Sequence, residues 1–175
     1  MLIDLSNVLS EPHRSVDETV PCELKIFRNG LGEYPVTESS DVHVKINYME
    51  NGKLQIEGTC KLTVEIPCDR CLEPVRTELF LDFTKDVDLD VADGEQTEEL
   101  DETNYIDGYA LDVEQLLYNE ILIGWPTKIL CSEDCKGICN VCGQNLNQGT
   151  CDCEDTSLDP RMSVIRDVFK NFKEV

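Results

Sequence analysis

Cysteine spacing constrains this chain more than any other feature of its sequence. Six cysteines fall within 23 residues, in the string CSEDCKGICNVCGQNLNQGTCDC that runs from Cys131 to Cys153. Thiols this dense bind a metal, form disulfides or carry out redox chemistry. Metal binding is favoured, because four thiolates complete a tetrahedral shell around Zn²⁺ and a two-residue gap lets two sulfurs reach the same ion.

Two closely spaced pairs form the preferred set of four metal ligands. Cys139 and Cys142 are separated by two residues and precede Gly143, which suits the tight turn of a metal-binding knuckle. Cys151 and Cys153 follow a loop rich in turn-forming residues, which gives the chain room to fold back. We therefore expect Cys139, Cys142, Cys151 and Cys153 to bind one ion.

The remaining clustered cysteines leave the choice of ligands open. Cys131 and Cys135 form another pair and are alternative ligands. Cys68 and Cys71, in the first half of the chain, are a further pair with a two-residue gap, and eight sulfurs are enough for two ions. We expect the metal to be zinc, but the spacing is equally compatible with iron, which would suggest electron transfer.

The compartment decides whether these cysteines are reduced. Residues 1–10 contain no basic start, no long apolar core and no small-residue cleavage site, so we expect no export signal. No stretch approaches the roughly 20 apolar residues of a membrane span. We therefore expect a cytoplasmic protein without a membrane association, whose cysteines bind metal rather than form disulfides. Cys22 and Cys60 stand alone in predicted strands and are expected to be small buried residues.

The first half of the chain shows the period-two alternation of apolar and polar residues that is typical of half-buried strands. Asn51 and Gly52 form the signal of a tight antiparallel hairpin between two of these strands. The pattern predicts an antiparallel β-meander, or an open barrel. The predicted strands cover residues 21–27, 42–48, 53–58, 60–67 and 75–83.

A helical pattern follows in the second half. Asp112 is placed to cap a helix over residues 111–123, Gln115 has the spacing of a capping box, and Gly124 ends the helix. Asp159 and Pro160 then precede an apolar stripe that predicts a C-terminal helix.

Together these patterns predict an α+β fold in three parts. Residues 1–85 form the antiparallel β domain, and residues 86–107 form an acidic loop or linker. Residues 108–175 hold a helix, the zinc-binding cysteine cluster and the C-terminal helix. The third part is also compatible with forming one compact unit with the β domain.

The chain is strongly acidic, with 36 acidic and 15 basic residues and a formal net charge of -21. Such a field repels a phosphate backbone and attracts basic proteins. Residues 86–107 contain ten carboxylates and no Lys or Arg, so they are expected to form a surface loop. That loop is either a solvated insertion without a role or the binding segment for a basic partner. The candidate partner-binding residues are Asp88, Asp90, Glu98, Glu99, Asp101 and Glu102.

The sequence contains no pattern that indicates an enzyme. Its two histidines, His13 and His43, have no nucleophile or acid nearby in sequence. Phosphate-binding glycine loops, serine elbows and paired-histidine zinc motifs do not occur. A zinc ion held by four thiolates has no open position for a substrate water. We therefore expect a protein without catalytic activity.

Several motifs together resemble one protein family. They are the string PCDRCLEP around Cys68, the spaced cysteines from Cys131 to Cys142 with the following CGQNLN, the CDC at Cys151, and DPRMSV from Asp159. These motifs are similar to those of the YceD family of bacterial proteins, also called the domain of unknown function 177 family. The likeness covers the chain from about Cys68 to its end and, less distinctly, the opening DLS.

This resemblance implies a role in accumulation of the large-subunit (23S) ribosomal RNA, in its synthesis, processing or stability. Family genes commonly neighbour the gene for the large-subunit ribosomal protein bL32, which implies a partner in ribosome assembly. Combined with the acidic charge, the resemblance suggests that the protein holds a basic ribosomal protein, with bL32 as a candidate, or binds a pre-ribosomal particle.

Two other functions remain open at this stage. A redox-controlled chaperone would use the same thiolates as a switch that releases zinc on oxidation. A direct RNA-binding module would use a local basic face, although acidic residues in the same segment offset it. The residues of that face would be Lys128, Lys136, Arg161, Arg166, Lys170 and Lys173.

Overall fold

A computed structural model of the chain describes residues 1–10, 14–49, 52–88 and 105–153. The chain divides into two compact units. The first, here called the sheet unit, comprises Met1–Ile66 and Arg76–Thr127. The second, here called the cysteine unit, comprises Pro67–Val75 and Lys128–Val175. The predicted acidic linker falls largely on residues 89–104, outside the described residues, so the three-part division stays a prediction.

The larger sheet has six strands in the order β2-β5-β6-β4-β3, with β7 also paired to β6. Its registered pairs β2–β5, β3–β4, β4–β6 and β5–β6 are all antiparallel. The sheet stays open and does not close into a barrel, which confirms the predicted α+β class. The strands are β2 Ser15–Val20, β3 Ile26–Asn29, β4 Gly32–Ser39, β5 Val42–Tyr48, β6 Lys53–Pro67 and β7 Pro74–Asp88.

The hairpin between β5 and β6 forms where the sequence predicted it. Alternate residues of β5, including Val42, Val44 and Ile46, are fully buried, as expected for a strand with one face on a core. Across the turn, the Met49 N–H donates to the Lys53 carbonyl over 2.7 Å, and Gly52 has a φ of 72°. Glycine adopts this left-handed conformation without steric cost, so it fixes the register of the hairpin.

Strand β6 corrects the prediction of two separate strands at 53–58 and 60–67. The strand continues through Thr59, which pairs with His43 of β5. Its first half pairs with β5 and its second half with β4, so no turn is needed between them. Gly58 remains inside the strand because the Phe83 ring occupies the space that a side chain would fill there.

The strand predicted at 21–27 is wrong in its bounds, because β3 begins only at Ile26 and ends at Asn29. Two further strands of the larger sheet, β2 and β4, were not predicted. In β2, the string SVDETV has few apolar residues, and burial is only partial. Strand β4 contains Pro35, which is unfavourable inside a strand. It nevertheless pairs with β3. In the turn between them, the Asn29 carboxamide oxygen accepts from the Leu31 and Gly32 N–H groups.

A three-stranded sheet lies at the start of the helical region. Its strands have the order β1-β9-β8, and β9 pairs antiparallel with both neighbours. It joins the first residues of the chain to the segment that enters the main helix. The elements are β1 Leu2–Asp4, the short helix α1 Ser6–Leu9, β8 Ile106–Asp107 and β9 Ala110–Asp112.

Helix α2, Val113–Ile123, begins at the predicted cap. The Asp112 carboxylate accepts from the N–H groups of Glu114 at 3.0 Å and Gln115 at 3.3 Å, which satisfies two donors that the helix leaves free. The reciprocal half of the capping box is not seen, since the Gln115 side chain donates to Asn119 over 3.4 Å. The helix ends at Gly124, as predicted.

Helix α2 packs one face against the core of the sheet unit. Leu116, Leu117 and Ile121 are buried, and Glu120 interrupts this apolar stripe. The Glu120 carboxylate lies 2.8 Å from the Lys85 ammonium group, and both side chains are largely buried. A buried charge is costly unless it is paired, so Lys85 is what allows Glu120 to occupy a core position.

The prediction that Cys22 and Cys60 are small buried residues is confirmed for Cys60 and not for Cys22. Cys60 is buried in β6, as expected, but Cys22 is half-buried and precedes β3. The Cys60 thiol hydrogen-bonds to Cys22 and lowers the pKa of Cys22 to about 6. The same bond raises the pKa of Cys60. The predicted C-terminal helix, like His13, lies outside the described residues.

Candidate metal centres

Cys68, Cys71, Cys131 and Cys135 form one group, here called the inner cluster. Their four sulfurs all lie within 4.8 Å of one another. Cys68 Sγ is 3.8 Å from Cys135 Sγ, and Cys71 Sγ is 3.5 Å from Cys131 Sγ. A tetrahedral site with metal–sulfur bonds of about 2.3 Å separates its sulfurs by about 3.8 Å. The inner cluster therefore has the dimensions of a metal site.

The short turn between β6 and β7 presents the first two sulfurs of the inner cluster. The Cys68 N–H donates to the Glu73 carbonyl over 2.8 Å, and the Leu72 N–H donates to the Cys68 carbonyl over 2.9 Å. Leu72 has a φ of 62°, which is a rare conformation for a residue with a side chain. These bonds hold Cys68 and Cys71 on the same side of the turn.

Side chains of the turn then attach the segment that carries the other two sulfurs. The Asp69 N–H donates to the Ile129 carbonyl over 2.9 Å, and the Ile129 N–H donates to the Asp69 carboxylate over 2.6 Å. The Arg70 guanidinium donates to the Cys135 carbonyl over 2.8 Å. Segments 60 residues apart in sequence are thereby held in register next to the cluster.

Hydrogen bonds to sulfur favour the thiolate form at two of the four inner cysteines, Cys68 and Cys135. Burial alone would raise the pKa of Cys68, but backbone N–H groups, including that of Cys131 at 3.4 Å, lower it to about 6. The Asn147 amide lies 3.3 Å from the Cys135 sulfur and is the main cause of a lowered pKa there. Because a metal binds the thiolate, these donors prepare Cys68 and Cys135 to act as ligands, whereas burial and the neighbouring cysteines raise the pKa of Cys71 to about 12.

Cys139, Cys142, Cys151 and Cys153 form the second group, here called the outer cluster. Their sulfurs also lie within 4.8 Å of one another. This is the set of four that the sequence analysis preferred, and the structure brings all four together. The structure assigns the alternative ligands Cys131 and Cys135 to the other group, with Cys68 and Cys71.

The outer cluster has the local structure of a metal-binding knuckle. The Gly143 N–H donates to the Cys139 carbonyl over 2.9 Å, and Gly143 has a φ of 74°. The Cys139 N–H donates to the Gln144 carbonyl over 2.8 Å, which closes the turn. N–H groups of Cys142 and Val141 lower the pKa of Cys139 to about 6. The neighbouring Cys142 raises the pKa of Cys153 to about 12.

The two clusters differ in burial. In the inner cluster Cys68, Cys71 and Cys135 are at most 5% exposed and pack with Val75, Leu130 and Ile138, whereas Cys131 is exposed. In the outer cluster Cys142 is exposed and the other three are half-buried. Three of the inner cysteines therefore belong to a small apolar core, whereas the outer cysteines are half-buried or exposed.

A loop of the outer cluster also supports the inner one. The loop residues Asn145 and Gln148 donate to the Glu73 carboxylate over 3.1 and 3.0 Å. Asn147, from the same loop, reaches the Cys135 sulfur and accepts from the Lys136 N–H over 2.8 Å. The sequence predicts no role for Glu73 or Asn147, because the polar string around Asn145 is typical of any loop.

The chemistry of both clusters fits a metal held by four thiolates. All ten cysteines are free, and the shortest sulfur separations given above exceed the roughly 2.05 Å of a disulfide. Four sulfurs without a nitrogen or oxygen ligand suit zinc or iron and leave no coordination position for a substrate. Either cluster could hold a metal ion. That these residues bind one, and that it is zinc, stays a prediction.

The acidic residues proposed to bind a partner fall mostly outside the described part of the chain. Asp88 is described, at the end of β7, and its carboxylate lies 3.8 Å from the Lys53 ammonium group. Asp90, Glu98, Glu99, Asp101 and Glu102 lie among residues that the structure does not describe. Their role stays a prediction.

Of the remaining residues singled out from the sequence, the structure describes His43, Lys128 and Lys136, and it does not bring these three together in a site. His43 is on the surface of the sheet, 3.5 Å from the Asp17 carboxylate and 3.3 Å from the Thr19 hydroxyl. Among residues proposed for a basic face, Lys128 and Lys136 are exposed, and the other four lie outside the described residues. In the described ranges, no helix is long and apolar enough to cross a membrane.

Comparison with known proteins identifies related sequences. The model of a family described as "Large ribosomal RNA subunit accumulation protein YceD" matches residues 56–169, which include both cysteine clusters. A protein of Zea mays named large ribosomal RNA subunit accumulation protein YCED homolog 1, chloroplastic, is 24% identical over 164 residues, covering 78% of this chain and 54% of that protein. Its namesake in Arabidopsis thaliana is 27% identical over 148 residues, covering 69% of this chain and 46% of that protein.

A bacterial relative has no described function. An uncharacterized protein of Mycobacterium tuberculosis is 27% identical over 103 residues, covering 59% of this chain and 49% of that protein. The chain thus spans about half the length of the curated relatives it matches. No solved structure matches.

Proposed function

This chain belongs to the YceD family of large ribosomal RNA subunit accumulation proteins, and we propose that it supports the accumulation of large-subunit ribosomal RNA as a ribosome-biogenesis factor without catalytic activity. The observation that carries this proposal is the family match over residues 56–169. That match includes all eight clustered cysteines and the turn between β6 and β7. The names of the plant relatives agree with it.

The metal centres would act as a scaffold in this function. Each cluster offers four thiolates and leaves no open position for a reacting group, which supports a structural role and argues against catalysis. Zinc is the metal we propose. The inner cluster joins the turn at Cys68 to the segment at Cys131, so a bound ion would fix the fold of the cysteine unit.

A basic large-subunit ribosomal protein is the partner that the charge supports best. At a net charge of -21 the chain would attract a basic protein and repel bare RNA. We propose that the acidic segment around Glu98 holds such a protein, with bL32 as a candidate, until ribosomal RNA binds it. This binding would take place in the cytoplasm, where bacterial ribosomes assemble.

Affinity purification with and without ribonuclease tests the choice of partner. A tagged chain should retain a basic large-subunit protein after ribonuclease treatment, and the retained amount should fall steeply as salt rises. If all partners are lost with the RNA, the protein-holding mechanism is wrong and the chain binds RNA or a particle. Retention that does not change between low and physiological salt would contradict the electrostatic mechanism.

A charge-matched pair of variants locates the binding segment. One variant replaces the four carboxylates Glu98, Glu99, Asp101 and Glu102 by their amides. The control replaces four exposed carboxylates of the sheet unit, Glu18, Glu23, Asp41 and Asp82, in the same way. Both variants lose the same net charge. The proposal expects only the first to lose the basic partner, and equal losses would show that overall charge, not this segment, attracts it.

A further inference from the structure

The two cysteine clusters are unequal in ways that bear on how each would keep a metal ion. The inner cluster takes its ligands from two segments about 60 residues apart, and three of its four sulfurs are buried. The outer cluster takes all its ligands from the 15 residues between Cys139 and Cys153. None of its four sulfurs is fully buried.

Access to the sulfurs sets the first difference. A small oxidant must reach a thiolate to react with it, so exposed thiolates are oxidised before buried ones. Cys142 is exposed and its three co-ligands are half-buried. In the inner cluster only Cys131 is exposed to the oxidant, because Cys68, Cys71 and Cys135 are buried and pack with Val75, Leu130 and Ile138.

The contacts around each cluster set the second difference. Around the inner cluster, Asp69, Arg70 and Asn147 bond to the segments that carry the sulfurs, so these sulfurs cannot separate unless several hydrogen bonds break. Around the outer cluster, Cys139 and Cys142 lie on a local turn closed by the bond from Gly143 to Cys139, and only the exposed loop between the two ligand pairs bonds to a distant residue, through Asn145 and Gln148 to Glu73. Separating the outer sulfurs opens only a short loop. The associated change in conformational free energy is therefore small.

We propose that the outer cluster is a peroxide-sensitive metal site, which releases its ion on oxidation while the inner cluster keeps its own. This proposal rests on the proposed metal-bearing scaffold and adds its regulation. The oxidant is a hydroperoxide. Release of the outer ion would loosen the loop that contains Asn145 and Gln148, while the cysteine unit stays folded.

Release of one ion requires the four thiolates of the outer cluster to be oxidised to two disulfides. One thiolate sulfur attacks a peroxide oxygen, the O–O bond breaks, and a sulfenic acid and hydroxide form. A second thiolate attacks the sulfenic sulfur, an S–S bond forms, and a second hydroxide leaves. Each disulfide therefore consumes one hydroperoxide and two protons and yields two waters when the oxidant is hydrogen peroxide. The sulfurs lose the electrons, and the metal is released without a change of oxidation state.

The geometry also indicates which sulfurs join. All four sulfurs lie within 4.8 Å of one another, and hydrogen bonds link the Cys139 thiol to Cys151 and the Cys142 thiol to Cys153. A bond between Cys151 and Cys153, with one residue between them, would be strained. The expected disulfides are therefore Cys139–Cys151 and Cys142–Cys153, which both cross the loop.

Zinc release by hydrogen peroxide tests the proposal. The protein is the full chain with Cys22→Ser, because the neighbouring thiols of Cys22 and Cys60 would otherwise consume oxidant. After loading with zinc and removal of excess, elemental analysis should give two ions per chain. Peroxide should then release one ion at least about tenfold faster than the other, as followed with a chromophoric zinc indicator. Peptide mapping should find the two expected disulfides, and a dithiol reductant with added zinc should restore the second ion.

Two variants assign the phases. Cys142→Ser should bind one ion and lose the fast phase, because the outer set then lacks a sulfur. Cys68→Ser should lose the slow phase and keep the fast one, and peptide mapping of the oxidised parent protein assigns the phases independently if this variant does not fold. Two ions released at the same rate, or a fast phase mapped to Cys131 and Cys71, would overturn the proposal while leaving the metal scaffold intact. A chain that binds no zinc would overturn both.

Discussion

The side-chain amide of Asn147 donates to the sulfur of Cys135 over 3.3 Å. Asn147 lies in the loop between Cys142 and Cys151, so a residue of the outer cluster's loop supports a ligand of the inner cluster. Such outer contacts orient metal ligands and stabilise the ligand charge. Asn147 thereby contributes to the affinity of the inner site for a metal.

Replacing Asn147 by alanine should weaken metal binding at the inner cluster. Loss of the donated hydrogen bond raises the pKa of Cys135, so a metal must then displace a proton that binds more tightly. We expect about a tenfold lower zinc affinity, measured by competition with a chromophoric chelator, and a larger loss at pH 6 than at pH 8.

Gln148→Ala is the matched control for this prediction. Its amide comes from the same loop and donates to the Glu73 carboxylate over 3.0 Å, without contacting a sulfur. Zinc affinity should stay within about twofold of the parent protein. If the two variants lose affinity equally, general loosening of the loop explains the effect and the sulfur contact does not.

The buried ion pair of helix α2 should be important for the stability of the sheet unit. Glu120 and Lys85 are 2.8 Å apart, with side chains only 10% and 18% exposed. Glu120→Ala leaves the lysine charge buried without its partner, which we expect to cost about 3 kcal/mol of unfolding free energy. Urea unfolding, followed by Trp125 fluorescence, measures this loss of unfolding free energy. Trp125 reports on the core because its ring stacks on Phe27 with the ring centroids 4.9 Å apart.

An exposed pair provides the comparison. Arg28 and Glu33 are 2.9 Å apart, but their side chains are about two-thirds exposed. Glu33→Ala should cost less than about 1 kcal/mol, because solvent screens both charges. The double variant Lys85→Met with Glu120→Leu should recover most of the stability lost by Glu120→Ala. Equal costs for the buried and exposed pairs would contradict this interpretation.

Gly58 should not tolerate a side chain. A Cβ at this position would lie 2.2 Å from the Phe83 ring, which is itself buried, so strand β6 or the ring must shift. We expect Gly58→Ala to lower the unfolding free energy by about 2 kcal/mol in the same urea experiment. Gly30→Ala, where nothing lies within 4 Å of the new atom, should change it little. Adding Phe83→Leu should partly rescue Gly58→Ala, and no rescue would count against the steric explanation.

Cys22 should react with alkylating agents at a pH below that of an ordinary thiol. Its pKa of about 6 makes it mostly thiolate at pH 7. Because this pKa lies below the ordinary value of 9.0, its ionised form stabilises the fold. That contribution is complete above about pH 9 and is lost as the pH falls through about 6. In the zinc-loaded protein, the rate at which iodoacetamide labels Cys22 should rise with pH with a midpoint near pH 6. The Cys60→Ala substitution should move this midpoint to a higher pH. An unchanged midpoint in Cys60→Ala would contradict the assigned cause.

Removing the metal should affect the two units differently. The inner cluster joins segments about 60 residues apart, so chelation should expose the region from Lys128 to Cys153 to protease. The sheet unit has its own core around Ile46, Leu54 and Leu116, and Trp125 fluorescence should change little. Mass spectrometry of the limited digest checks this prediction. Cleavage within β5 or β6 at the same rate would contradict it.

Local patterns predicted some of these features and missed others for physical reasons. The β5–β6 hairpin and the Asp112 cap were predictable because alternation, Asn-Gly and capping chemistry all act within a few residues. The outer cluster was predictable for the same reason. The pairing of Cys68 and Cys71 with Cys131 and Cys135 remained open, because it depends on bonds such as Asp69 to Ile129 between distant segments. Strand β4 was missed because it is held by pairing with β3 and β6 and not by its own composition.

The ratio of large-subunit to small-subunit ribosomal RNA in cells that lack this chain tests the central claim most directly. Our account predicts that deletion lowers the ratio and that the wild-type chain restores it. Cys68→Ser, which removes a sulfur of the inner cluster, should restore it poorly, while Gly30→Ala should restore it fully. A ratio that stays unchanged on deletion, with normal levels of both RNAs during growth, would contradict the account.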